Sequence, residues 1–226
     1  MRYLEPFNEG LFTKYRIRKL CEKYHIKNYT INKDGSIDVD GDVAFLNQGL
    51  FKLPIRFNRV SGLFSCIKNN LTSLDGCPDY VGGDFNCGYN RITSLKGGPR
   101  EVVGHFGCST NKLTSLEGSP DYIGGDYYSS NNEITSLEGF PKSVGKYFYC
   151  ICNPVEDVWK LFEDKTKVEL FNDYDIIRDG NVIILDRLIS FLREIGKPID
   201  TFNNDLFSMH PEIYLKSKLK GVYECI

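Results

Sequence analysis

Eight cysteines carry the most obvious chemistry in this 226-residue chain, because thiolates bind zinc and thiols form disulfides. Four of them, Cys66, Cys87, Cys108 and Cys150, fall on one register of 21 residues, with Ser129 at the remaining place. Equivalent side chains on neighbouring strands lie about 4.8 Å apart and point the same way, which is poor geometry for a disulfide. The spacing therefore predicts a buried ladder of small apolar side chains rather than a redox site.

Two other patterns would suit a metal ion, and both are incomplete. Cys150 and Cys152 are separated by one residue, so on a strand one should be buried and the other exposed. The acidic stretch 38–42 would suit a calcium loop, but Val43 stands where that loop has its glycine, and no bidentate glutamate follows at the right distance. We predict a turn and edge-protecting role for this stretch, and neither a metal nor a cofactor for the chain.

Catalysis has little support. His105 and Asp126 are one repeat apart, but no serine or thiol is positioned with them as a triad, and no phosphate loop or dinucleotide fingerprint is present. We therefore predict that the chain is not an enzyme. The alternative is metal-dependent chemistry in the carboxy-terminal region, at its only acidic concentration: Asp164, Glu169, Asp173 and Asp175.

A unit that returns every 21 residues positions most of these side chains. Its consensus is V-G-G-x-F-x-C-x-x-N-x-L-T-S-L-x-G-x-P-x-x. One strand and one turn cannot cover the apolar residues of a unit, so neighbouring units must stack, and a period in this range predicts a solenoid. The register holds for Asn69, Asn90, Asn111, Asn132 and Asn153, for Phe64, Phe85, Phe106, Tyr127 and Phe148, and for Pro78, Pro99, Pro120 and Pro141.

Three positions of the unit predict local structure. The asparagine should cap backbone groups at the turn after each strand. The pairs Gly82–Gly83 and Gly124–Gly125 should supply conformational freedom at the corner before the strand. The proline cannot donate a hydrogen bond, so its side of the unit should be irregular or short 3₁₀ helix.

The unit resembles the leucine-rich repeat, L-x-x-L-x-L-x-x-N/C-x-L, with Phe85 and Cys87 at inward places of a strand and Asn90 at the asparagine place. Its tail is similar to the short repeats of bacterial effectors, and "LTSLEGxPxxVGG" resembles a repeat common in tailed phages and prophages. The resemblance covers residues 43 to 160. It implies an α/β, leucine-rich-repeat-like solenoid with short parallel strands on the concave face and an irregular convex side.

The two ends of the chain depart from the repeat. Residues 1–42 predict a helix, then a hairpin around Asp34–Gly35, which together cap the solenoid of residues 43–153. Residues 154–226 predict a mainly helical capping subdomain, with a second binding module as the alternative. One apolar helical face spans 155–162 and another spans 185–195, and a turn at Asp179–Gly180 interrupts a short alternating stretch.

Charge and hydropathy narrow the expected partners and location. The formal net charge is −2, so no overall field favours nucleic acid. No run of about 18 apolar residues is present and the amino terminus lacks a secretory core, so we expect no membrane association and a cytoplasmic location, that of the host cell if the chain is phage-encoded.

Residues between the inward positions of each strand should form the concave surface. Exposed aromatic residues grouped on one sheet are costly unless a partner covers them, so we expect a protein-binding module whose partner is a host or defence protein that it inhibits. A structural virion or assembly component is the alternative, and a homodimer stays open. The predicted binding residues are Asp84, Asn86, His105, Ser109, Asp126, Tyr128, Ser130, Tyr147, Tyr149 and Ile151.

Overall fold

The computed structural model is a parallel-strand β-solenoid of about five turns, with a spacing of about 21 residues. Partners on neighbouring strands are one repeat apart, as in the pairs Val81–Val102 and Phe64–Phe85. The repeat solenoid predicted from the sequence is thereby confirmed. The residues that the structure describes are 9–150, 152–154, 176–178, 182–194, 211–219 and 224–226.

Each turn contributes one short strand to each of two parallel sheets. The first sheet contains β2 (Ile37–Val39), β4 (Phe57–Val60), β6 (Tyr80–Val81), β8 (Glu101–Val102), β10 (Tyr122–Ile123) and β12 (Ser143–Val144), with the antiparallel strand β1 (Tyr29–Ile31) at its edge. The second sheet contains β3 (Val43–Ala44), β5 (Phe64–Ser65), β7 (Phe85–Asn86), β9 (Phe106–Gly107), β11 (Tyr127–Tyr128) and β13 (Phe148–Tyr149).

The first sheet is an addition to what the leucine-rich-repeat alignment predicts. Its inward side chain in each turn is a buried β-branched residue, such as Val81 or Ile123, and such residues favour extended backbone. The proline-containing part of each unit, for example 91–100, forms turns and bends, as its prolines predicted. Two short strands and one irregular segment therefore make up one turn of the solenoid.

A column of aromatic rings forms the centre of the core. Phe64, Phe85 and Phe106 stack nearly parallel, with successive ring centroids 5.7 and 5.2 Å apart. Tyr127 continues the column but lies edge-on to Phe106, at an interplanar angle of 79°. Its hydroxyl lies 2.8 Å from Ser119 Oγ, so the fully buried phenol keeps a hydrogen-bond partner.

The predicted cysteine ladder is confirmed as part of this core. Its thiols are buried and unbridged, and Ser129 fills the remaining place with its Oγ donating to the carbonyl of Tyr149 at 3.2 Å. Cys150 is buried and Cys152 is exposed, as strand alternation predicted. The ladder residues are Cys66, Cys87, Cys108 and Cys150.

The predicted asparagine caps are also confirmed, and they link neighbouring turns. Asn132 Oδ1 accepts from the backbone N–H of Leu113 in the preceding turn at 3.1 Å. Its Nδ2 donates to the carbonyls of Ser129 in its own turn at 2.9 Å and of Cys108 in the preceding turn at 3.2 Å. The same three kinds of bond recur at Asn69, Asn90, Asn111 and Asn153.

The glycine pairs have a different role from the predicted one. Gly82 and Gly124 lie outside the left-handed region, and a methyl group on them would overlap the carbonyl oxygens of Ser61 and Val103 in the preceding turn. Close approach of two backbones therefore requires glycine there. Left-handed backbone occurs instead at the glycine two residues before each repeat proline, Gly76, Gly97, Gly118 and Gly139, and at the residue before each ladder asparagine, Lys68, Tyr89, Thr110, Asn131 and Cys152.

The described end segments contain the predicted helix and hairpins. Helix α1 (Glu9–Lys23) buries Ile17 and Cys21, and the antiparallel β1–β2 pair confirms the first hairpin. Towards the carboxyl end the described elements are β14 (Ile177–Arg178), β15 (Val182–Ile183), α2 (Leu185–Glu194), α3 (Pro211–Leu219) and β16 (Glu224–Cys225), with β14 and β15 antiparallel as predicted. The helix predicted over 155–162 lies outside the described residues.

Candidate protein-binding surface

Three columns of residues that point away from the core cover the second sheet, and we call them the outer face; Gly88, Gly107 and Asp126 among them are buried by their neighbours. Strand alternation creates them, because the Phe and Cys columns point into the core. Every predicted binding residue except Ile151, which lies outside the described residues, stands on this face. The first column is Asp42, Leu63, Asp84, His105, Asp126 and Tyr147, the second is Ala44, Ser65, Asn86, Gly107, Tyr128 and Tyr149, and the third is Leu46, Ile67, Gly88, Ser109 and Ser130.

Polar side chains of the first column bond to the backbone of the next turn. Asp84 Oδ1 accepts from the N–H of His105 at 2.8 Å, and His105 Nδ1 accepts from the N–H of Asp126 at 2.9 Å. Asp126 Oδ1 accepts from the N–H of Tyr147 at 3.0 Å, and Asp42 does the same for Leu63 at 2.7 Å. These residues therefore hold successive turns together as well as lining the surface.

Asp126 links this column to Tyr128. The Tyr128 hydroxyl donates to Asp126 Oδ2 at 2.9 Å, and the Asp126 side chain is only 12% exposed. Partial burial, followed by the hydrogen bond to Asp126, raises the pKa of Tyr128 to about 12. Tyr128 is consequently a neutral hydrogen-bond donor at physiological pH and not a phenolate nucleophile.

His105 uses one ring nitrogen as a hydrogen-bond acceptor in this arrangement. Because Nδ1 accepts the N–H of Asp126, the ring proton belongs on Nε2. The same Nδ1 lies 3.2 Å from Asp126 Oδ2, an approach that becomes an ion pair only when the ring is protonated. The pair resembles two members of a catalytic triad, yet the hydroxyl that reaches Asp126 is the weakly acidic phenol of Tyr128.

Three tyrosines form the most aromatic part of the outer face, and we call Tyr128, Tyr147 and Tyr149 the tyrosine cluster. The rings of Tyr128 and Tyr149 are stacked with centroids 5.0 Å apart and an interplanar angle of 4°. Tyr147 lies 6.1 Å from Tyr149, and His105 lies 6.0 Å from Tyr128 on the other side. Tyr128 is 38% exposed, whereas Tyr147 and Tyr149 are half-buried.

Small residues adjoin the cluster. Gly107 precedes Tyr128 in the second column, and Gly88, Ser109 and Ser130 occupy the third. Asn86 is fixed by its Oδ1, which accepts the N–H of Gly88 at 2.9 Å. The outer face therefore changes from large aromatic side chains to small residues between one strand and the next.

Burial limits the chemistry of three core thiols. Burial raises the pKa of the Cys77, Cys87 and Cys108 thiols, which makes them poor nucleophiles. In the described part of the chain no group of three or more His, Cys, Asp or Glu side chains is arranged to hold a metal ion. The acidic residues proposed as the alternative metal site, Asp164, Glu169, Asp173 and Asp175, lie outside it.

The acidic stretch 38–42 accepts hydrogen bonds from the next turn of the solenoid. Asp38 accepts from Asn58 Nδ2 at 2.7 Å, and Asp40 accepts from Ser61 Oγ at 2.8 Å. Together with the Asp42 bond to Leu63, these contacts give each carboxylate a partner in the next turn.

Sequence reasoning missed two features of the outer face. Asp42 belongs to the acidic stretch, but it also stands two repeats before Asp84 and is part of the same column. Gly107 was not chosen, although it is the glycine between Asn86 and Tyr128 in their register. Reading each outward column as a sequence of its own would have found both.

Comparison with known proteins adds no identity: no protein-family model matches the chain, and neither a curated protein nor a solved structure matches it. Within the described residues, none of the helices combines the length and the apolar character needed to cross a membrane.

Proposed function

We propose that this chain is a non-enzymatic protein-binding solenoid whose partner docks on the outer face at the tyrosine cluster. The observation that carries the proposal is the stacked pair of Tyr128 and Tyr149, which is accessible to solvent and already fixed in place. Tyrosine supplies a large amphipathic contact area and is enriched where proteins bind one another.

The energetics of docking favour such a site. Binding normally costs about 0.5–1.5 kcal/mol for each flexible side chain that becomes ordered. Tyr128 is restrained beforehand by its ring stack and by its bond to Asp126, and the short strands beneath it are part of a continuous sheet. A partner that covers the cluster therefore gains the contact area at a reduced entropic cost.

The test compares capture of proteins from a lysate by the wild type and by two variants. Tyr128→Ala/Tyr149→Ala removes the stacked pair, whereas Tyr122→Ala removes a tyrosine that is 44% exposed on the first sheet. We expect one protein to be captured by the wild type and by the Tyr122 variant but lost with the double variant, while circular dichroism shows all three folded. An identical set of captured proteins for all three would contradict the proposal.

We also propose, from the resemblance to phage and prophage repeats, that the partner is a host or defence protein and that the solenoid inhibits it in the host cytoplasm by covering its working surface. The wild type should then abolish the activity of the captured protein, and the double variant should not. Co-purification with virus particles instead would favour the structural virion component.

A further inference from the structure

We propose that helix α1 (Glu9–Lys23) and the short segment that follows it bind the phosphate backbone of a nucleic acid. This surface is separate from the outer face, so the inference does not depend on the proposed function. We call it the basic face, and its cations are Lys14, Arg16, Arg18, Lys19, Lys23 and Lys27.

The basic face concentrates charge that the chain as a whole does not have. Residues 14–27 contain six lysines and arginines and one acidic residue, so their net charge with neutral histidine is +5, and the remaining residues carry −7 to give the total of −2. The whole-chain charge, on which the expectation of no nucleic acid rested, averages over this concentration. Lysines and arginines clustered along a helix are the electrostatic pattern typical of nucleic-acid binding.

Packing of the helix turns these cations towards solvent. Ile17 and Cys21 are buried on the opposite side of α1, and the ring of Tyr24, just after the helix, packs on that of Phe45 with centroids 5.1 Å apart. All six cations of the basic face are exposed. The first and last of those on the helix are about 13–14 Å apart along its axis, so the face can contact several phosphates at once.

Most of these cations have no carboxylate partner among the described residues. Within the basic face only Lys19 forms an ion pair, with Glu22 at 2.7 Å. Elsewhere in the described part of the chain, exposed lysines pair between turns, as Lys96 does with Glu117 at 2.7 Å. Five cations of the basic face are therefore left for an external anion to neutralise.

The arrangement of charges also lowers the stability of α1. Lys14 and Arg18 stand four positions apart, as do Lys19 and Lys23, and like charges at this spacing destabilise a helix. Phosphates placed along this side would relieve the repulsion. Binding should therefore be accompanied by a gain in thermal stability.

The composition of the basic face favours nucleic acid over a protein or a membrane. Protein interfaces are depleted in lysine and enriched in aromatic residues, whereas four of the six cations here are lysines and Tyr15 is the one exposed aromatic side chain among residues 13–27. A helix that lies in a membrane surface needs a free apolar side, but the side of α1 that bears Ile17 and Cys21 is already buried.

Contacts to phosphate rather than to bases are expected. Residues 14–27 contain no asparagine, glutamine, serine or threonine, and such residues are common among those that read base edges. Phosphate contacts carry no sequence information directly. The basic face should therefore bind duplexes of different sequence equally well.

The test titrates the full chain into a fluorescently labelled DNA duplex of mixed sequence, about 20 base pairs long, while anisotropy reports binding. Each phosphate contact contributes about −0.9 to the slope of log affinity against log salt concentration. Five or six contacts predict a slope of about −4.5 to −5.4 between about 50 and 200 mM salt. A second duplex of scrambled sequence should give the same affinity and slope.

Two matched sets of substitutions locate the contact. Replacing four cations of the basic face by glutamine should reduce the slope by about 3.6, whereas replacing four exposed lysines elsewhere, which changes the net charge equally, should leave it unchanged. The first set is Lys14→Gln, Arg16→Gln, Lys23→Gln and Lys27→Gln, and the second is Lys52→Gln, Lys112→Gln, Lys142→Gln and Lys146→Gln. Lys14→Gln with Arg16→Gln alone should reduce the slope by about 1.8, so the result does not depend on whether the fourfold variant folds.

The competitors distinguish the class of ligand. DNA carries about one charge per 1.7 Å of its axis, whereas an extended glutamate chain carries one per about 3.4 Å, so poly-glutamate of equal total charge should displace the labelled duplex several-fold more weakly than unlabelled DNA does. Displacement as strong as that by DNA, either by poly-glutamate or by vesicles of phosphatidylcholine and phosphatidylserine, overturns the proposal. So does the absence of binding at about 50 mM salt, or an equal effect of the two sets of substitutions.

Discussion

At the scale of single residues, the aspartates of the outer face serve the fold as well as the surface. Asp84 and Asp126 each accept a backbone N–H from the next turn, so removing either would leave a donor without its partner. If either aspartate were replaced, a loss of binding could not be distinguished from a loss of structure. Tyr149 is a better probe, because its side chain caps no backbone group among the described contacts.

The asparagine ladder gives the first residue-scale prediction. Asn132→Ala should lower the free energy of unfolding by about 2–4 kcal/mol, because it orphans the buried N–H of Leu113 and removes one of the two asparagine donors that reach each carbonyl of Cys108 and Ser129. Asn132→Asp should also destabilise, since a carboxylate accepts but cannot donate to these carbonyls. Urea unfolding measures both, with Asn70→Ala, just outside the ladder, as the control. Equal effects of Asn132→Ala and Asn70→Ala would contradict the role of the ladder.

At the scale of elements, glycine has two separate uses within one unit. Gly118 combines a φ of +89° with a position where a methyl group would overlap the backbone of Lys96 in the preceding turn. Gly49 also has a positive φ, +66°, but an added methyl group would meet nothing within 4 Å. The first glycine is required by conformation and by packing, the second by conformation alone.

Because of this difference, replacing glycine by alanine should lower the free energy of unfolding by different amounts at the two positions. Gly49→Ala should cost about 1–2 kcal/mol, the usual penalty for a side chain in left-handed backbone. Gly118→Ala should cost a further 1–3 kcal/mol or so, because the turns must separate locally to admit the methyl group. Thermal unfolding of the two variants side by side checks the ranking, and a Gly49 variant that is the less stable would refute it.

Elements that repeat were the ones that the sequence predicted well. The 21-residue register placed Phe85, Cys87 and Asn90 correctly, because about five stacked copies of one pattern average out local exceptions. The strand that each turn contributes to the first sheet was harder to predict, since two residues such as Tyr80–Val81 are too short for an alternation pattern. The role of the glycine pairs depends on distances between turns, which no local sequence rule contains.

The sequence predicts which residues of the candidate site share a column, but not which of their side chains contact one another. Alternation placed Tyr128 and Tyr149 on one face, but the bond between Tyr128 and Asp126 depends on rotamers that sequence spacing does not fix.

At the scale of the whole molecule, stability is shared between neighbouring turns. Ring stacking, the asparagine bonds and the first-column bonds each join one turn to the next, for example at Phe85–Phe106, Asn111–Ile92 and Asp84–His105. A solenoid of this kind gains its stability from such interfaces between repeats. The buried thiols lie at the same interfaces, so their ionisation should weaken the packing of one turn against the next.

Alkaline pH should therefore unfold the solenoid through its thiols. Burial raises the pKa of Cys77, Cys87 and Cys108 above the ordinary 9.0, so the folded state keeps them neutral while the unfolded chain ionises them. The stability they contribute is complete below about pH 9 and declines as the pH rises above it, by about 1.4 kcal/mol per pH unit for each thiol. Urea unfolding under reducing conditions between pH 8 and about pH 11 measures the slope.

Two variants assign that slope to the buried thiols. Cys108→Ser places at this position the residue that the solenoid already uses at Ser129, and it should reduce the combined slope of the three thiols by about a third. Cys152→Ala removes an exposed thiol and should leave the slope unchanged. If the free energy of unfolding were constant from pH 8 to about pH 11, or if both variants changed the slope equally, the thiols would not be buried in neighbouring turns as described.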